Sequence, residues 1–114
     1  MTQTDRIDDL KVGEIPNPLV YQFLDGAGAP LSIVGYTAKV NIAEEAGGLS
    51  VSNATAVVTD GPNGKVTYTF TGNEFPTPGH WQIEIWVGNA GTRRYASVLI
   101  LVDVRGAIGP VPAI

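Results

Sequence analysis

The chain has 114 residues, 44% of them hydrophobic and only 16% charged, with seven Lys and Arg against eleven Asp and Glu, a net charge of −4 and no cysteine. That length suits one domain with its own core, and the composition excludes disorder of the whole chain, disulfides, thiolate metal sites and cysteine nucleophiles. The acid excess speaks against nucleic-acid binding, which needs a basic face; the one adjacent basic pair is Arg93-Arg94.

Residues 1–6 are polar and read as an N-terminal arm without the apolar stretch of a secretory signal. Residues 7–104 carry a period-two alternation that predicts strands. Ile7 to Val12 forms a short first strand, closed by Gly13 and the Pro16-Asn17-Pro18 corner. Leu19, Tyr21 and Phe23 then alternate with Val20 and Gln22, before a turn over Asp25-Gly26-Ala27-Gly28-Ala29-Pro30. Tyr36, Ala38, Val40 and Ile42 alternate with Thr37, Lys39 and Asn41, and Ile42 to Ala46 offers at most one helical turn. Ala54 to Thr59 and Lys65 to Phe70 flank Asp60-Gly61-Pro62-Asn63-Gly64, so they form a hairpin: Pro fixes φ and Asn-Gly tolerates positive φ.

Farther on, Trp81, Ile83, Ile85 and Val87 share a face opposite Gln82, Glu84 and Trp86. Gly88 to Gly91 turns the chain into one strand from Arg94 to Val104. There Ala96, Val98, Ile100, Val102 and Val104 face inward, and Tyr95, Ser97, Leu99, Leu101 and Asp103 face outward. About seven short strands with regular turns are the pattern of an all-β, immunoglobulin-like sandwich of antiparallel strands, with a small β-barrel as the other candidate. The expected core comprises Tyr36, Val40, Val66, Tyr68, Phe70, Trp81, Ile83, Ile85, Val98, Ile100 and Val102. Residues 105–114 are apolar yet rich in Gly and Pro, which suits an extended arm that lies on a neighbouring subunit. The longest apolar run, Val98 to Val102, is far short of the roughly 20 residues of a membrane-spanning helix.

Enzyme chemistry finds no footing. The single histidine, His80, has no cysteine to activate, and no serine stands in a nucleophile-elbow pattern. Asp5, Asp8, Asp9 and Glu14, and separately Glu44-Glu45, lack the alternating oxygens and glycine of a calcium loop. Gly26 to Ala29 precedes no helix, and Gly61 to Lys65 lacks the Walker spacing, so both are hairpin turns rather than phosphate cradles. Glu84 has no second carboxylate for glycoside hydrolysis. Asn53-Ala54-Thr55 fits the glycosylation pattern but, without a secretory route, reads as plain strand sequence. No catalytic, cofactor or metal residue is expected. An outward Trp86 is different: such a ring serves as a sugar platform or a protein contact, or else covers the sheet edge or packs under a loop.

Several stretches carry a resemblance. They are Val12-Gly13-Glu14-Ile15-Pro16; Leu19 to Asp25 with Pro30-Leu31; Asn53 to Asp60 with Gly64 to Tyr68; and Pro78 to Ile85. Over residues 7–104 the chain resembles the N-terminal immunoglobulin-like domain of phage baseplate upper proteins. The resemblance implies a sandwich fold and attachment to a virion, without the receptor-carrying parts of that family. The expectation is therefore a non-enzymatic structural protein of a tailed-phage particle, made in the host cytoplasm. It binds capsid proteins as a decoration or minor capsid subunit, homo-oligomeric or in many copies, and needs no nucleic acid or membrane. A tail or baseplate subunit is one alternative; a carbohydrate- or cell-surface-binding module using Trp86 and Tyr95 is another. The expected contact residues are Trp86 and Tyr95 on the sheet, with Ile108, Pro110, Val111, Pro112 and Ile114 on the C-terminal arm.

Overall fold

Alternating side chains and Gly-containing turns fold the chain into strands alone. The computed structural model describes residues 6–89, 93–97 and 99–106. In chain order the strands are β1 (Arg6–Lys11), β2 (Leu19–Gln22), β3 (Thr37–Glu44), β4 (Leu49–Asp60), β5 (Lys65–Tyr68), β6 (Gly79–Asn89), β7 (Arg93–Ala96) and β8 (Ile100–Arg105). No helix occurs among the described residues. The hydrogen-bonded path runs β1-β8-β6-β3-β4-β5-β2, with β7 also on β6. The strands were expected to be antiparallel throughout, but β1 runs parallel to β8, through Arg6↔Leu101 and Ile7↔Val102. The sheet is therefore mixed. A parallel pair needs a long crossover, and here the intervening domain supplies it.

β4 bends the sheet. Its first part pairs with β3, through Val40↔Ala54 and Ala38↔Ala56. Its last part pairs with β5, through Val57↔Thr67 and Val58↔Val66. The change of partner along one strand curls the sheet into a half-barrel around the core. The predicted hairpin between these strands is present. Its Gly64 has φ of 73°, and a Cβ there would sit 2.5 Å from the Leu31 carbonyl oxygen and 2.7 Å from that of Phe23. Only glycine fits.

Three local expectations need correction. The stretch Ile42 to Ala46 holds no helical turn; β3 continues to Glu44 and a tight loop follows, with the Gly47 N–H donating to the Glu44 carbonyl. The strand expected from Ala54 begins five residues earlier, at Leu49. The strand expected from Arg94 to Val104 is broken in two. Trp86 pairs with Ala96 and Ile83 with Ile100, so the two residues Glu84 and Ile85 oppose the three residues 97–99. One extra residue is a bulge, and it reverses which side chains face inward. Ser97 closes it: its N–H donates to the Ile85 carbonyl at 2.8 Å, and its Oγ accepts the Ile85 N–H at 2.9 Å.

The core fills the inside of the curl. Val40, Val66, Tyr68, Phe70, Trp81, Ile83, Ile85, Ile100 and Val102 are buried, as the alternation implies. Tyr36 is only half-buried, and Val98 lies outside the described residues. Rings form a continuous line through the core. Tyr68 meets Phe70 edge-on at 5.2 Å, Phe70 meets Phe75 at 6.1 Å, and Phe75 meets Trp81 edge-on at 5.9 Å. Such pairs add about 0.5–1.5 kcal/mol each beyond area burial.

Candidate functional site

The outward face of β3 and β6 is the polar half of two alternating strands. Ala38, Val40 and Ile42 turn into the core, which sends Thr37, Lys39 and Asn41 out. Ile83, Ile85 and Val87 do the same on β6, which sends Gln82, Glu84 and Trp86 out. Register then sets the neighbours: Thr37 opposes Gly88, Lys39 opposes Trp86, and Asn41 opposes Glu84.

Trp86 is 40% exposed. Its Nε1–H donates to Glu84 Oε1 at 2.6 Å, which fixes the plane of the ring along its own strand. Lys39 Nζ donates to Thr55 Oγ1 at 3.2 Å. On β4, Asn53 takes φ of 57°, the left-handed region that Asn tolerates better than most residues. Its N–H donates to Asn41 Oδ1 at 2.8 Å in place of a ladder partner. Thr37, Lys39, Asn41, Asn53, Trp86 and Asn89 enclose an open trough of about 570 Å³. Sequence alone points to Trp86 but not to its neighbours, because the trough depends on the β3–β6 register and the turn in β4.

The other expected contact residues fall elsewhere. Tyr95 was expected to stand outward with Trp86, but it pairs with the buried Val87, whereas Trp86 pairs with Ala96. The bulge turns Tyr95 toward the core, where it is half-buried and stacks on Tyr36 at 6.2 Å with the rings 6° from parallel. The two aromatics therefore form no common platform. Ser97, also expected outward, is buried. Leu99 and Leu101 do face out, 49% and 43% exposed, flanking the buried Ile100. Ile108, Pro110, Val111, Pro112 and Ile114 lie outside the described residues.

Of the acidic and histidine residues singled out by the sequence, Asp5 lies outside the described residues, and several others make surface contacts. His80 Nδ1 is 3.8 Å from Asp103 Oδ1 at the surface, where the two residues oppose each other across β6 and β8. The Glu14 carboxylate accepts the Lys11 N–H at 2.8 Å. Asp25 Oδ1 accepts the N–H groups of Ala27 and Ala29, which shapes the Gly-rich turn. Among the described residues no three His, Cys, Asp or Glu side chains come together to hold a metal.

One buried polar cluster escaped the sequence. Glu74 is 2% exposed. Its carboxylate accepts the N–H groups of Thr71 and Gly72, the Thr71 hydroxyl and the Tyr68 hydroxyl, at 2.8–3.1 Å. Burial opposes its ionisation, but the Thr71 N–H, the Tyr68 hydroxyl and the remaining hydrogen bonds outweigh that and hold the carboxyl below its usual range. Tyr68 is pushed well above the usual tyrosine range by burial first, then by the bond and the charge of Glu74. With both carboxylate oxygens hydrogen-bonded and the side chain buried, Glu74 pins the loop between β5 and β6. The Thr-x-x-Glu spacing of residues 71–74 was the available signal, but that spacing usually marks a helix start, and no helix follows here.

No protein-family model matches the chain, and no curated protein matches it significantly.

Proposed function

We propose that this chain is a non-enzymatic structural subunit of a tailed-phage particle, attached to the capsid surface as a decoration or minor capsid protein. The observation that carries the reading is the outward face of β6, β8 and the residue before β8, where Trp86, Leu99 and Leu101 are each at least 40% exposed. Large apolar groups exposed on one face of a sheet favour burial against another protein. The stretches that resemble the baseplate domain support a phage particle as the assembly to which that protein belongs. The strand path supports the immunoglobulin-like sandwich within this proposal: β1-β8-β6-β3 with the first part of β4 serves as one layer, and β2-β5 with the last part of β4 as the other. A stable contact of this kind buries upward of about 1,000 Å² in total; the further contact expected from the C-terminal arm falls on residues 107–114, outside the described residues.

Mass spectrometry of purified particles tests the proposal. The chain is expected in stoichiometric amounts, and Leu101→Asp is expected to lower its copy number. Particles that lack the chain overturn the reading. Particle imaging then separates the capsid from the tail or baseplate as the place of attachment.

A further inference from the structure

Beyond attachment to a particle, we propose that the trough between β3, β4 and β6 binds a short neutral saccharide, with the Trp86 indole as its stacking surface. A sugar presents two kinds of surface. Its ring has an apolar C–H face, which packs on an aromatic plane. Its edge carries hydroxyls that both donate and accept. The trough offers both kinds. Trp86 exposes part of its ring there, and the bond from its Nε1–H to Glu84 Oε1 at 2.6 Å holds the plane in place.

The polar wall is made of groups that donate and accept together. Asn41 Oδ1 is occupied by the Asn53 N–H at 2.8 Å, which leaves the Asn41 amide nitrogen to donate. The side-chain amide of Asn53 has no hydrogen-bond partner among the described residues and adds both functions. Thr37 contributes a hydroxyl at the rim. Lys39 uses one donor on Thr55 Oγ1, and its remaining protons are available. These residues sit on paired strands rather than on a loop, so little ordering is needed on binding.

Charge and size narrow the ligand. Lys39 is the cation of the trough, and Glu84 lies beside Asn41 on the same face. Lys39 opposes Trp86 and Glu84 opposes Asn41, so the Glu84 charge stands two residues farther along the same face, where it offsets that of Lys39 and favours hydroxyls over a phosphate or a uronate. The volume of about 570 Å³ falls inside the usual range for small-ligand sites, about 300–1,000 Å³. The trough opens on the β3 side of Trp86, whereas the protein-docking patch takes the β8 side of the same ring, with Leu99 and Leu101.

The test is a glycan array of neutral and acidic bacterial-surface saccharides probed with the full chain, followed by titration of the best binder against tryptophan fluorescence and backbone amide NMR. Trp81 is 4% exposed, so fluorescence changes report Trp86. A neutral saccharide is expected to bind, to perturb the amides of Lys39, Asn41, Asn53 and Asn89, and to lose at least tenfold in affinity in Trp86→Ala and in Lys39→Met. Leu101→Asp is expected to bind the sugar as the wild type does, which separates this site from the particle contact. Binding to no neutral saccharide, preference for an acidic one, or affinity unchanged in Trp86→Ala overturns the proposal.

Discussion

Trp81 and Trp86 stand five residues apart on one strand and do opposite things. Trp81 is 4% exposed, meets Phe75 edge-on, and donates its Nε1–H to the Thr77 carbonyl at 3.0 Å. Trp86 is 40% exposed, and its Nε1–H goes to Glu84, a residue of its own strand. An odd separation on a strand puts two side chains on opposite faces, so the first ring is fixed by the core and the second is held ready at the surface. The same residue type thus serves stability on one face and recognition on the other.

The largest expected effect breaks the inner half of that comparison. Trp81→Ala removes the end of the aromatic line and should cost about 3–5 kcal/mol, a large share of the stability of a small domain. Chemical denaturation checks it; a melting point within a degree or two of wild type would show that the ring does little for the core.

The next effect concerns the other polar anchor of the interior. Glu74→Gln places an amide among the donors of Thr71, Gly72 and Tyr68 and should cost about 1–3 kcal/mol at neutral pH. The sign of the pH dependence follows from the direction of the shift. A carboxyl held below its unfolded value stabilises the fold above the ordinary carboxylate range, about 4.3, and that contribution is lost as the pH falls through its folded value. Tyr68 is shifted upward, so its contribution is complete below the ordinary tyrosine range, about 10, and is lost only as the pH rises well beyond it. Melting curves of wild type and Glu74→Gln should therefore converge as the pH is lowered below the ordinary carboxylate range. A gap that stays constant would mean that Glu74 is not the ionised anchor described here.

How far the sequence could be read depends on where polar residues mark a face. β3, β5 and the first part of β6 alternate apolar with polar, and their buried faces follow directly. The segment from Tyr95 to Val104 does not: Tyr95, Leu99 and Leu101 on one parity face Ala96, Ile100 and Val102 on the other. With apolar groups on both sides, nothing marks the extra residue, and the bulge at 97–99 stays hidden. The misplacement of Tyr95 follows from it. The start of β4 is obscured by Gly47-Gly48 and by Asn53, since an Asn that tolerates positive φ does not announce that it takes it inside a strand. The parallel β1–β8 pair joins the two ends of the described chain, and local pattern says nothing about such contacts. Trp86 was legible because Gln82 and Glu84 mark its parity; Lys39 and Asn53 were not, because only register brings them beside it.

The smallest expected change in stability is at Trp86 itself. Trp86→Ala removes a half-exposed ring and should alter stability by less than about 1 kcal/mol, read as a melting point close to that of wild type.

The central claim is that this outward ring serves recognition and not folding, and the copy number of Trp86→Ala protein on purified particles tests it most directly. The account predicts a fall of tenfold or more in a protein that still melts like the wild type. Incorporation at the wild-type copy number would contradict it.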